Sequence, residues 1–70
     1  MATPEQIRHN SQRIWDAALA LGLLDQDPQA FEALKVMAGT LHPDPAVVQV
    51  AMRAMHIVLK EINKQQAERN

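Results

Sequence analysis

Few side chains in this sequence are of the types that catalysis uses, and they lie far apart. The single serine, Ser11, is two positions from His9, and residues two apart on a helix point to different sides. Asp16 does not complete a Ser-His-Asp arrangement from the same segment. The sequence has no cysteine, and neither of its two glycines belongs to a phosphate-binding loop. We therefore predict that the protein is not an enzyme and uses no cofactor.

The three histidines are the remaining candidates for metal ligands. His9, His42 and His56 are widely separated, and no two of them have the three- or four-residue spacing that places two ligands on one helix face. A site that combines His42 and Asp44 with a second copy of the chain lacks the clustered ligands that metal sites normally show. The sequence therefore predicts no resident metal.

Basic residues on one face of the C-terminal half are the basis for an alternative, a regulator that binds nucleic acid. They are Arg53, Lys60 and Lys64, with Arg8 and Arg13 as further candidates. The formal net charge is only -1, and the helix that would enter a DNA groove begins with Asp44 and four uncharged residues. Nucleic acid is therefore not the partner that the sequence favours.

Three predicted helices position these residues, and each begins with a capping residue followed by proline. The three starts are Thr3-Pro4, Asp27-Pro28 and Asp44-Pro45. Gly22 and Gly39 are placed to end the first two helices. Apolar residues between these signals recur with the helical period of about 3.6 residues, and no segment is predicted to form a strand. The predicted helices span residues 4–21, 28–38 and 45–66.

These elements predict an all-α, three-helix fold in a single domain, residues 1–70. A domain of about 60 residues buries only about 60% of its unfolded surface, so it commonly needs a disulfide, a metal or a second subunit. Disulfides are excluded because the sequence has no cysteine. The tail over residues 64–70 is polar apart from Ala67 and is predicted to fray.

No segment of the sequence is predicted to enter a membrane. The longest unbroken apolar run, Ala17 to Leu21, is much shorter than the roughly 20 residues of a membrane-spanning helix. The N-terminal residues lack the charged region and the apolar region of a signal peptide. We therefore expect a cytoplasmic protein.

The third predicted helix carries the strongest functional signal, because most of its circumference is apolar. Its polar residues recur at intervals of four, three, four and three positions and form one narrow stripe. They are Gln49, Arg53, His56, Lys60 and Asn63. The remaining apolar arc spans roughly 220°, about twice the width that one buried helix face needs. We expect this helix to have more apolar surface than one short chain covers.

The apolar arc divides into two parallel seams. The small seam consists of Val47, Ala51, Ala54 and Val58. The large seam consists of Val48, Met52, Met55, Leu59 and Ile62, with the spacing of a coiled coil. We expect one seam to pack against the first two helices and the other to contact a second copy, and the sequence leaves open which is which. In a monomer, both seams would instead close within the chain.

The sequence therefore predicts a small protein–protein interaction module, an adaptor, regulator or inhibitor that forms a homodimeric helical bundle. Its expected partners are a second copy of the chain and another protein. The predicted interface comprises Val48, Met52, Met55, Leu59, Ile62 and Trp15. A second alternative is a small-molecule binder, with a pocket between helices or subunits lined by Trp15 and the methionines.

Residues 31–59 resemble a single HEAT-type helical hairpin. The residues that carry the resemblance are Phe31, Leu34, Leu41, the Asp44-Pro45 turn, Val47, Ala51 and Ala54. HEAT families are partner-binding scaffolds that stack at least about three repeats, whereas this chain has one. The resemblance implies two antiparallel helices and no particular function.

Overall fold

The computed structural model describes residues 1–69, which form three α-helices with short connections. Helix α1 spans Pro4–Leu21, α2 spans Pro28–Ala38 and α3 spans Pro45–Arg69. One turn of 3₁₀ helix, Leu24–Gln26, lies between α1 and α2. Residues 1–69 contain no strand, so the predicted all-α, three-helix fold is confirmed.

Capping hydrogen bonds explain why the helices begin at the predicted residues. The Thr3 hydroxyl accepts a hydrogen bond from the Gln6 N–H at 3.2 Å, and the Gln6 side-chain oxygen accepts one from the Thr3 N–H at 3.0 Å. The Asp27 carboxylate accepts from the N–H three residues later at 3.3 Å. Asp44 accepts from the N–H two residues later at 2.8 Å. Each helix start is therefore set by hydrogen bonds between residues two or three positions apart.

The first two helices also end where the sequence predicts. Gly22 has a φ of 69°, in the left-handed region that a side chain disfavours, and its N–H donates to carbonyls of the last turn of α1. Gly39 follows α2 and donates to the Val36 carbonyl at 3.0 Å. Both glycines therefore close their helices by satisfying a free carbonyl.

Helix α3 continues to Arg69, three residues beyond the predicted end at 66. Its last turns contain lysine, glutamine, alanine, glutamate and arginine, which all favour the helix, and no glycine or proline. Residues 63–69 are all exposed. Fraying of the segment 64–70 stays a prediction, and Asn70 lies outside the described residues.

The core lies where α2 packs across the other two helices. It consists of the buried residues Ala18, Leu23, Ala30, Phe31, Leu34, Met37, Ala51, Ala54 and Val58. Four of these nine residues belong to α2, which packs most extensively against α3 and next against α1. Helices α1 and α3 contact each other least. Helix α2 is therefore the element that holds the fold together.

Helix α3 is much longer than the helix that covers it. Its 25 residues extend about 37 Å, whereas the 11 residues of α2 extend about 16 Å. The start of α2 lies beside the middle of α3, because the Asp27 carboxylate is 3.1 Å from the Arg53 guanidinium. The C-terminal half of α3 therefore extends past α2, and α1 runs along one side of it.

Candidate interaction surface

The small seam of α3 is the seam that packs inside the chain. Ala51, Ala54 and Val58 are 0% exposed, and Val47 at the start of the seam is half-buried. Small side chains let neighbouring helices approach closely, which favours this seam for the contact with α2. The structure thus places the small seam in the core and leaves the large seam outside it.

The large seam lies on the side of α3 next to α1, where it is only half covered. Val48, Met55 and Ile62 are half-buried against the core. Met52 and Leu59 are 60% and 52% exposed. These two residues are seven positions apart and therefore project from the same side of the helix. We call Met52 and Leu59 the outer ridge.

A groove between α1 and the C-terminal half of α3 runs beside the outer ridge. We call it the α1/α3 groove; its volume is about 410 Å³, and most of its wall is apolar. The lining residues are Asn10, Arg13, Ile14 and Ala17 of α1 and Val58, Leu59 and Ile62 of α3. Two large-seam residues thus take part in a groove whose other wall comes from α1.

The apolar surface continues toward the N-terminal end of α3. A smaller cavity of about 170 Å³ is lined by Pro4, Ile7, Met37, Thr40, Leu41, Pro43 and Val48. Ile7, on α1, is 41% exposed. Residues of α1 and of the large seam therefore share an apolar surface at both ends of α3.

Sequence reasoning assigned only Trp15 of α1 to the interface and missed Ile14 and Ala17. Ile14 and Ala17 are three residues apart and share a face that borders the fully buried Ser11 and Ala18. The Ser11 hydroxyl donates to the Ile7 carbonyl at 2.8 Å, within its own helix. The sequence shows only that α1 has an apolar face. Such a face can be buried in a core or can line a groove, and the helical period does not distinguish the two.

Trp15 lies on a different side of α1 from the α1/α3 groove. It lines a cavity with Leu24, Asp25, Pro28, Phe31 and Glu32 at the start of α2. The Lys35 ammonium is 6.0 Å from the centre of its ring. Within residues 1–69 this cavity shares no lining residue with either cavity along the large seam. Trp15 therefore lines a different cavity from Val48, Leu59 and Ile62 of the large seam, and a different one from Met37.

A second apolar groove lies between α2 and the N-terminal half of α3. Its volume is about 420 Å³, and its lining residues are Gln29, Glu32, Ala33, Val36, Ala46, Val47 and Val50. Val36 is half exposed. This α2/α3 groove shares no residue with the large seam.

A bidentate ion pair connects the start of α2 to the middle of α3. The Arg53 Nε and Nη2 atoms donate to Asp27 Oδ2 and Oδ1 at 3.1 and 3.2 Å. The hydrogen bond from Arg53 holds the pKa of Asp27 below its ordinary 3.8, and the N–H of Ala30 acts in the same direction against partial burial. The ion pair holds the start of α2 against α3. It also occupies Arg53, one of the three basic residues on the face of α3 that was considered for nucleic-acid binding.

The histidines that were considered as metal ligands lie apart in the structure. Within residues 1–69 no group of three or more His, Asp or Glu side chains is arranged to hold a metal ion. His9 and His56 are exposed on separate helices. The N–H of His42 donates to the Thr40 hydroxyl at 3.2 Å in the connection before α3.

No family model matches this chain, and no curated protein and no solved structure is significantly similar to it. The likeness of residues 31–59 to a HEAT-type hairpin therefore stays a likeness of two antiparallel helices. None of the helices described here is both long enough and apolar enough to cross a membrane.

Proposed function

We propose that this protein is a non-enzymatic protein–protein interaction module that acts as a homo-oligomer, in the role of an adaptor, regulator or inhibitor. The observation that carries the proposal is the apolar outer ridge beside the apolar α1/α3 groove. Arg13 is the only charged residue among the groove's lining residues. Contiguous apolar patches with polar edges are typical of surfaces that bind other proteins.

The total exposed surface supports the same proposal. The chain exposes 5108 Å², whereas a folded monomer of its mass exposes about 4,400 Å². The excess of about 700 Å² is close to the ~800 Å² that each partner buries in a standard interface. Two regions contribute to it, the polar end of α3 beyond its neighbours and the uncovered large seam.

The composition of the core gives a further reason for association. Four of the nine buried apolar residues are alanines, which bury little apolar surface when the chain folds. A single core in a chain this short supplies only about 3–5 kcal/mol of stability. Covering the half-exposed Met52 and Leu59 would add about 25 cal/mol for each Å² of apolar surface removed from water.

The two alternatives receive less support from the arrangement of side chains. Arg53, the first of the cations on the nucleic-acid face, is paired with Asp27. Trp15 and Met37 line separate cavities, so they do not form the common pocket that a small-molecule binder would need. We further propose that the protein acts in the cytoplasm and that another protein is its second partner.

The molecular mass in solution tests self-association, with Leu59→Lys as the disrupting variant. Leu19→Lys is the matched control, because Leu19 is also a helical leucine, is 51% exposed compared with 52% for Leu59, and lines neither cavity along the large seam. Light scattering over a micromolar concentration series should show an oligomer for the wild type and for Leu19→Lys. Leu59→Lys should have the mass of one chain.

One result would contradict self-association itself, and another would contradict the surface to which it is assigned. One is a monomeric wild type throughout the concentration series. The other is a Leu59→Lys variant that associates as the wild type does, while Val36→Lys in the α2/α3 groove becomes monomeric. The second result would move the self-association surface to the opposite side of α3.

A further inference from the structure

The surface formed by α1 and α3 has a shape that can pair with itself. A ridge that includes Leu59 stands directly beside a groove whose wall includes Ile14 and Ala17. In a two-fold symmetric dimer the same patch is used by both copies, so the patch must be complementary to itself. A ridge next to a groove meets this condition, because each copy offers a ridge to the groove of the other.

We infer that two copies pair about a two-fold axis and that each inserts the Leu59 side chain into the α1/α3 groove of the other, against Ala17. This inference rests on the proposed function and adds the occupant of the groove and the geometry of the contact. In this arrangement α1 and α3 of both copies form a four-helix bundle, the architecture in which facing helices bury such seams. Helix α2 lies on the outside of each copy.

The groove is large enough to admit a leucine side chain. Its volume of about 410 Å³ is within the range of about 300–1,000 Å³ that holds drug-sized ligands. Ala17 has the smallest side chain among the lining residues and leaves room between α1 and α3. A larger side chain at position 17 would fill the space that the partner's leucine occupies.

The charge around the outer ridge favours a second copy over a basic partner. The residues nearest to the outer ridge on the side away from α1 carry no formal charge when histidine is neutral, and they are Gln49, His56 and Asn63. The cations Arg53 and Lys60 lie further round the same polar stripe, and Arg53 is paired with Asp27. Two copies can therefore approach with uncharged residues next to the ridge, whereas a basic partner would find no carboxylate on the stripe.

Two size-changing variants, Leu59→Ala and Ala17→Leu, test the geometry. Leu59→Ala leaves a gap in both contacts of its own dimer, and Ala17→Leu obstructs both contacts of its own dimer. When the two variants are mixed, the mixed dimer has one wild-type contact and one in which leucine and alanine have exchanged places. The mixture is therefore expected to associate about tenfold more tightly than either variant alone, measured by sedimentation.

Cross-linking gives a second readout that does not depend on the size of the side chains. The chain has no cysteine of its own, so Leu59→Cys and Ala17→Cys introduce single thiols. An equal mixture of the two variants should be joined between the copies by a short bifunctional thiol reagent, because the inserted leucine side chain and its contact with Ala17 leave the two Cβ atoms about 6 Å apart, further than a disulfide spans. Leu19→Cys mixed with Ala17→Cys serves as the control and should remain uncross-linked.

The outcomes separate this geometry from self-association in general. A wild type that associates, together with a mixture no tighter than its components, would overturn the insertion of Leu59 while leaving the proposed function intact. Cross-linking of Leu59→Cys to itself, with none to Ala17→Cys, would show that the ridges face each other instead. A monomeric wild type would overturn both proposals.

Discussion

The two seams of α3 are adjacent, parallel and equally apolar, yet only one of them is buried. Ala51, Ala54 and Val58 of the small seam have no exposed surface, whereas Met52 and Leu59 of the large seam are half exposed. The difference follows from side-chain size, because the rest of the chain packs closest where α3 presents alanine and valine. Two apolar sides of one helix are therefore not buried equally by their own chain, and the side with the smaller residues is the one that it covers.

The largest expected effect comes from placing a charge in each seam. Val58→Asp introduces an unpaired carboxylate into the core and should destabilise the fold by about 4 kcal/mol or more. That loss matches the total stability of about 3–5 kcal/mol that so small a core supplies. The variant should therefore lose its helical circular dichroism. Leu59→Asp should remain helical, and a comparable loss of helicity in both variants would mean that the seams do not differ.

Enlarging an alanine side chain should lower the stability of the fold more in the small seam than in the groove beside the large seam. The difference should be smaller than the one that a buried charge produces. Ala54→Leu forces a larger side chain into a fully buried position and should lower the free energy of unfolding by about 1–3 kcal/mol. Ala17→Leu adds the same atoms at the open α1/α3 groove and should change the stability of the monomer by less than about 0.5 kcal/mol. Urea denaturation of dilute samples measures both values. Equal losses would show that the groove is closed within one chain.

Within the large seam, the two residues of the outer ridge should contribute unequally to self-association. Leu59 lines the α1/α3 groove and Met52 does not. Leu59→Ala should weaken self-association about tenfold, equivalent to about 1.4 kcal/mol. Met52→Ala should weaken it by less than about threefold. Dissociation constants from sedimentation equilibrium test this order, and a larger effect of Met52→Ala would shift the contact toward the N-terminal half of α3.

The smallest expected effect concerns the ion pair that fixes α2 along α3. Arg53 lowers the pKa of Asp27, so the stabilisation is present above the unfolded-state pKa of 3.8 and is lost as the pH falls through the lower folded-state pKa. Arg53→Met should remove part of this acid-dependent loss, as measured by urea denaturation between neutral pH and about pH 3. Lys60→Met, on the same polar stripe, is the control. An unchanged pH profile in Arg53→Met would show that the pair does not stabilise the fold.

Helix boundaries were predictable where local chemistry sets them. Thr3, Asp27 and Asp44 act through hydrogen bonds to N–H groups two or three residues away, and such bonds can be inferred from the sequence. Gly22 ends α1 because the backbone there adopts a positive φ. The end of α3 was placed three residues too early, because no glycine or proline stops that helix.

The sequence predicted which residues of the interaction surface lie on the same side of one helix, but not how the helices pack against each other. Helical period groups Met52 with Leu59, but the choice of buried seam depends on where α2 docks, and periodicity within α3 carries no information about docking. Ile14 and Ala17 were missed for the same reason, since their position beside α3 depends on the orientation of α1. Trp15 was placed with the seam, yet it lies beside Phe31 and Pro28 of α2.

Sedimentation equilibrium of the unaltered chain tests the central claim most directly, namely that the exposed large seam is covered by a second copy. One chain has a mass of 7.8 kDa. At micromolar concentration the measured mass should be twice that of one chain and should fall toward the single-chain value on dilution. A mass of 7.8 kDa at every concentration in the micromolar range would contradict the claim, because the large seam would then stay exposed in solution.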